Sequence, residues 1–288
     1  MVLIIISNRI VKNNFNNSFF IHTNTGDYMN VLITGATSGI GYALTKKLIK
    51  NGHYVYLCVH NKNEILGAVK KIKEIDYNDR VSVMKLDITK REDRNLITKL
   101  DIDCLVNQAG IGIGGSLLNL RVSKIRENFE VNFFGTLELT KLYIETRKNK
   151  KGKVLITSSL AGLIPIPFLG SYCATKSALI TIATALKKEL KKTNLNINIK
   201  LIEPGAYQTG FNELMIENKE LLNNEIYNED IESINDNQKV MFSFIEKRKL
   251  NSIVNKMYQA IMSENDKLIY RAPFFQVLGA KLYMLLFK

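Results

Sequence analysis

From Asn30 onward the chain alternates between two kinds of hydrophobic spacing. Short apolar runs, rich in β-branched residues, cover Val31–Thr34, Tyr54–Val59, Val81–Leu86, Cys104–Asn107, Val154–Ser158 and Ile197–Leu201. They read as strands buried on both faces. Between them lie longer stretches of helical period: Ala43–Asn51, Ile65–Ile75, Val122–Lys148 and Thr175–Lys192. Such alternation predicts βαβ units, and the right-handed crossover rule makes them a doubly wound α/β fold, a mostly parallel sheet with helices on both faces. The ligand crevice then lies at the carboxyl ends of the strands.

The two ends of the chain depart from this rhythm. Asn13–Tyr28 is rich in Asn, Phe and Thr and has no clear period. We expect residues 1–28 to be an extension, either untranslated, with Met29 as the biological start, or poorly ordered, and residues 29–288 to be one domain. Residues 210–250 are helical in pattern and strongly charged, and after the Pro204-Gly205 turn they suit a lid over a substrate. The apolar, basic tail 267–288 can lie on an anionic membrane surface, pack on the core or form a subunit contact.

Composition narrows the classes. Lys and Arg number 40 against 27 Asp and Glu, a net charge of +13, but they are spread along the chain without the run of a nucleic-acid-binding arm. Three cysteines, an odd number, point to a reduced, cytoplasmic setting. The three histidines make no metal-ligand spacing, so we expect no metal site. No stretch has the length of a transmembrane helix or the charge order of a secretory signal.

The candidate chemistry falls at the predicted strand ends. Gly35-Ala36-Thr37-Ser38-Gly39-Ile40-Gly41 follows the first strand and opens a helix, where glycines allow close approach of phosphate and free N–H groups meet it. The second strand ends at Val59-His60-Asn61-Lys62, with no carboxylate to hold a ribose 2′-hydroxyl or repel a 2′-phosphate, which favours NADP(H) over NAD(H). Asp87, after the third strand, can accept from an adenine amino group or cap the next helix. Asn107-Gln108-Ala109-Gly110 lets the chain pass close to the cofactor.

Tyr172 and Lys176 stand four apart on one helix face, which sets a phenol beside an ammonium. The cation favours the phenolate and is expected to bring the phenol, ordinarily near pKa ~10, down towards working pH. Ser159 can bond a substrate oxygen, with Ser158 its rival. Asn132 either holds a water linking Lys176 to solvent or is satisfied by neighbouring backbone.

Taken together, these motifs resemble the short-chain dehydrogenase/reductase family over about Asn30–Thr209, and most closely its hydroxysteroid- and retinol-dehydrogenase branch. The resemblance implies a Rossmann fold with a seven-stranded parallel sheet, and hydride transfer between NAD(P) and an apolar carbonyl/alcohol pair. It makes Tyr172 the acid/base, Lys176 its partner and ribose clamp, Ser159 the carbonyl orienter and Asn132 the relay anchor. It adds Pro204, Gly205 and Thr209 to the cofactor contacts. By analogy the chain forms a homo-oligomer. The alternative is a catalytically silent NADP(H)-binding regulator. Two departures stand out: Gln108 replaces the second Asn of the usual turn, and Ser38 stands where some NADP-preferring members carry a basic residue.

Overall fold

Alternate side chains of the predicted strands go to opposite faces of one sheet. Val31, Ile33, Val55, Leu57 and Val59 join one core, and Leu32, Tyr56, Cys58 and Leu105 join the other. The computed structural model describes residues 4–6, 9–11, 28–76, 78–217 and 231–287. Its strands are β1 (Ile4–Ile6), β2 (Arg9–Val11), β3 (Asn30–Ile33), β4 (Tyr54–Val59), β5 (Val81–Lys85), β6 (Cys104–Asn107), β7 (Gly152–Thr157), β8 (Ile197–Pro204) and β9 (Ile269–Ala272). They are ordered β2-β1-β5-β4-β3-β6-β7-β8-β9. The seven strands from β3 to β9 are parallel.

The helices are α1 (Gly39–Lys50), α2 (Glu64–Lys73), α3 (Arg91–Arg94), α4 (Val122–Phe129), α5 (Thr136–Thr146), α6 (Gly170–Leu190), α7 (Phe211–Glu217), α8 (Ile231–Ile245), α9 (Asn251–Met262) and α10 (Phe274–Phe287). Leu44 and Leu48 of α1, Ile65 of α2 and Met257 of α9 cover one face of the sheet. Leu139 and Tyr143 of α5 and Leu179 and Ala183 of α6 cover the other. The chain winds one way from β3 to β4 and β5, and the other way through β6 to β9, so the crevice opens between the ends of β3 and β6.

Three features depart from the hydrophobic pattern along the chain. The seventh strand, β9, lies inside the tail that the sequence reading set apart, and only α10 remains of it as a separate element. β9 is short and carries Arg271 in its middle, so it showed no apolar run. The single helix read over Val122–Lys148 is interrupted by a π-helical turn at Glu130–Gly135. In the 1–28 segment, β1 pairs antiparallel with β2 and with β5 at the sheet edge; its other residues up to Asp27 lie outside the described set.

One ion pair ties the last strand in. Glu203 of β8 is fully buried opposite Arg271 of β9, whose Nε donates to its carboxylate. Burial pushes the Glu203 carboxyl up, and Arg271 pulls it back. Removing the cation leaves a buried charge uncompensated, so Arg271→Ala should cost about 3–5 kcal/mol near pH 8. The loss should be smaller at pH 5, because a protonated Glu203 tolerates burial. Urea unfolding at the two pH values checks this, and an equal loss at both would refute the charge argument.

Candidate active site

The glycine loop can take only glycine at its key points. Gly35 and Gly39 have φ of 62° and 51°, the left-handed region that favours glycine. A Cβ added at Gly35 would stand 2.7 Å from Ala109 Cα, and one at Gly41 would stand 2.7 Å from the Gly35 carbonyl oxygen. Ser38 is the N-cap of α1 but its side chain makes no capping bond. The amides of Gly39, Ile40 and Gly41 are thus left for an outside acceptor such as a pyrophosphate. Thr34 holds the opposite wall: its Oγ1 accepts from the Gln108 and Ala109 amides at 3.0 Å each. Thr209 stands over the loop, its Cβ 3.1 Å from where a Gly39 Cβ would be. The residues present therefore fit a dinucleotide.

The tip of β4 corrects the sequence reading. Glu64, from the start of α2, folds back so that its carboxylate accepts from the His60 amide at 3.2 Å and Asn61 Nδ2 at 2.7 Å. A carboxylate therefore does stand at this tip, brought there by the fold. Lys71 reaches across from α2, its Nζ donating to the Thr37 carbonyl at 3.0 Å. Asp87 caps a turn, its Oδ1 accepting from the Thr89 amide and hydroxyl at 2.9 and 2.7 Å, while Oδ2 lies 3.6 Å from His60 Nε2. Burial opposes the charge on Asp87, but the Thr89 bonds, His60 and Lys85 hold its carboxyl below the ordinary value. Asn107 turns its Nδ2 to Thr140 at 2.9 Å, so its side chain serves packing on α5.

At the start of α6, Tyr172 and Lys176 are both buried, with Lys176 Nζ 5.6 Å from the Tyr172 ring centroid. Nζ donates to the Thr157 carbonyl at 3.1 Å. Ser158, the rival of Ser159 for a substrate oxygen, has its hydroxyl proton on the Lys176 carbonyl at 2.7 Å. Ser159 is near enough to the Tyr172 phenol to favour its charged form; its Oγ accepts from Ala161 N at 3.1 Å and lies 3.4 Å from the Pro204 carbonyl.

The expected lowering of the Tyr172 pKa does not appear. Burial pushes the phenol up, and Ser159 offsets only part of that. The same desolvation brings Lys176 down to about 8, which weakens the cation meant to act on the phenol.

Asn132 is fully buried in the π turn, a feature frequent at functional sites. Its Oδ1 accepts from Ile111 N at 2.8 Å, and its Nδ2 donates to Ile111 O at 2.9 Å and Thr175 Oγ1 at 3.2 Å. This side chain is satisfied by backbone and hydroxyl, as the blander sequence reading had it. A Cβ at Gly110 would fall 3.1 Å from Asn132 Oδ1 and 3.5 Å from Lys176 Nζ, so glycine there lets the three groups share one place.

Several contributors were missed in the sequence. Asn128 repeats the Asn132 pattern one turn earlier, bonding both polar groups of the Ile113 backbone and donating to Ser171 Oγ at 2.8 Å. Two amides four residues apart thus clamp two hydroxyls four apart on α6 and fix the register of Tyr172. The spacing was visible, but nothing in it named the partners. Gln108 accepts from Thr157 Oγ1 at 3.0 Å. Phe168 has a φ of 61°, a strained value for a bulky residue, and its carbonyl accepts from Gly115 N at 2.7 Å.

The lid reading covers α7 and α8, with residues 218–230 outside the described set. Phe211 opens α7 with its ring 5.7 Å from that of Tyr172. Met215, Ile216 and Phe242 pack with Tyr172, Leu169 and Cys173 in a separate apolar cluster. A cleft of about 340 Å³ opens on the outer flank between α7 and α8, lined by Asn212, Phe242 and Arg248 among others, away from the Tyr172 phenol.

The family model for the short chain dehydrogenases matches residues 29–220. The chain is 34% identical over 194 residues to estradiol 17-beta-dehydrogenase 2 of Mus musculus, covering 64% of this chain and 49% of that relative. It is 28% identical over 258 residues to the NADPH-dependent 1-acyldihydroxyacetone phosphate reductase of Saccharomyces cerevisiae, covering 86% of this chain and 83% of the relative. In fold it is similar to a short chain dehydrogenase/reductase from Burkholderia phymatum solved in complex with NAD, at a TM-score of 0.75 and 21% identity, over 89% of this chain and 92% of that one.

The buried ammonium has a consequence for stability. A lysine held near pKa 8 in the folded chain and at 10.5 when unfolded costs stability below about pH 8, and that cost fades as pH rises to 10.5. Lys176→Met should therefore melt a few degrees higher than the parent at pH 7, with the gap closing towards pH 10. Thermal melts at both pH values check this; a gap that does not change with pH would contradict it.

Proposed function

The chain belongs to the short chain dehydrogenase family, and on that premise we propose that it transfers a hydride between NADP(H) and the carbonyl/secondary-alcohol carbon of an apolar substrate. One observation carries this reading: Tyr172, Ser159 and Lys176 converge at the carboxyl edge of the sheet, beside a glycine loop whose helix amides are uncapped.

The nicotinamide coenzyme, when bound, supplies or takes the hydride. The rest of the work falls to the chain. The amides of Gly39, Ile40 and Gly41 would hold the pyrophosphate, and Lys176 the ribose hydroxyls. Ser159 orients the substrate oxygen through its hydroxyl. Tyr172 carries its proton in this buried setting, the form in which it donates to a carbonyl oxygen as negative charge develops there. Phe211, Met215 and Phe242 exclude water from that transfer.

Three things support an apolar substrate and the phosphorylated coenzyme. The walls around Tyr172 are hydrocarbon. The two named relatives act, by their names, on a steroid and on an acylated ketone, and the second is NADPH-dependent. Lys71 anchors an ammonium on the glycine loop at the Thr37 carbonyl, while the Glu64 carboxylate is occupied by His60 N and Asn61.

Tyr172→Phe should lower turnover about 10²–10⁴-fold while the chain still binds coenzyme. Kinetics with a ketone panel and fluorescence titration of NADPH measure the two effects separately. Undiminished turnover would leave a coenzyme-binding protein of another role. For the coenzyme, NADPH should bind more tightly than NADH, and Lys71→Ala should weaken NADPH alone by roughly two- to fivefold. A tighter grip on NADH by the parent would reverse the assignment.

A further inference from the structure

The outer surface of the lid runs into α10, and together they leave an unusual amount of hydrocarbon in water. Along α10, Phe274, Phe275, Leu278, Leu282, Leu285 and Leu286 are exposed, Phe275 by 82% and Leu285 by 81%. On α8, Phe242 faces Tyr172, whereas Met241, Phe244 and Ile245 turn outward, Phe244 by 84%. Gln276 joins the two helices: its Nε2 donates to the Ile245 carbonyl at 2.6 Å and to the Ala206 carbonyl at 3.2 Å, and its Oε1 accepts from Ala206 N at 2.7 Å. The exposed ends of α8 and α10 are thus neighbours, both beside the loop that follows β8. Scattered apolar side chains need no explanation, but a contiguous patch of this kind does.

The exposed charges beside the outward apolar residues of α8 and α10 are mainly basic. Past Ile245 comes Glu246, half-buried and accepting from Asn212 Nδ2 at 2.6 Å, and then Lys247, Arg248 and Lys249, all exposed; Lys281 is exposed midway along α10. None of these four cations forms an ion pair among the described residues. From Lys267 to Lys288 the sequence has no acidic residue. A twofold contact between copies would set these like charges beside one another in a partly desolvated seam. An anionic surface has no such conflict.

We propose that the faces of α8 and α10, with Lys247–Lys249 and Lys281, dock on an anionic lipid bilayer and bring the lid against it. α10 has 14 residues, about 21 Å at 1.5 Å per residue, too short for a hydrocarbon core of about 30 Å. No helix among the described residues is long and apolar enough to cross a membrane. The helix lies in the interface, with its phenylalanines and leucines among the acyl chains and its cations at the headgroups. α7 and α8 then separate the bilayer from Tyr172 by the thickness of one helix, a dry path for an apolar substrate. That route rests on the function proposed above; the docking itself does not.

The test is co-sedimentation of the full chain with vesicles of phosphatidylcholine alone or with phosphatidylserine added. Binding should require the anionic lipid and weaken with salt. The triple variant Lys247→Glu, Arg248→Glu, Lys249→Glu should lose at least about tenfold in partition. The double variant Phe275→Asp, Leu285→Asp should lose binding at low salt as well. Both should bind NADPH and turn over a short water-soluble ketone like the parent, which shows that they fold. The proposal is overturned if the parent ignores anionic vesicles, if neither variant changes its partition, or if the parent sediments as a dimer that the double variant dissociates. Failure to bind NADPH at all would count against the oxidoreductase reading instead.

Discussion

An ammonium group buried without a carboxylate beside it is the constraint around which this protein is arranged. Lys176 forms no ion pair among the described residues, and its Nζ is held by one backbone carbonyl and the face of the Tyr172 ring. A buried charge of this kind is costly unless its surroundings are fixed. The surroundings here are neutral and fully engaged: Ser158 on the Lys176 carbonyl, Asn132 on Thr175, Asn128 on Ser171. A satisfied polar network is stiff, and a half-satisfied one is worse than none. The same bonds that make the cation tolerable therefore set the angle at which Tyr172 meets the crevice.

The glycine loop imposes a second condition from the other side. Its backbone comes so close to Ala109 that the turns after β3 and β6 form one wall. Tyr172 stands between that wall and the apolar faces of α7 and α8. Groups from β7, α6 and the loop after β8 meet there, which is why no single motif in the chain explains the site.

Much of this was legible before any fold was known. Six strands, both layers of helices and the family followed from periodicity and from the spacing of Gly35, Ser159, Tyr172 and Lys176. What escaped the sequence has physical reasons. β9 is four residues long with a charge at its centre, so its apolar signal is weak. The π turn depends on Asn132 finding Ile111 and Thr175, contacts about 21 and 43 residues away. The carboxylate at the tip of β4 comes from the next helix, and only the path of the chain brings Glu64 there. The pKa of Tyr172 was misjudged because spacing shows a neighbour but not burial, and burial outweighs the cation here.

Glu203 and Arg271 are separated by 68 residues yet meet across adjacent strands. On a ribosome adding ~5–20 residues per second, β8 emerges several seconds before the strand that neutralises it. Until then its carboxylate has no cation and keeps its charge only by staying hydrated. The contact that makes burial of Glu203 tolerable is thus one the chain can form only after β9 has been made.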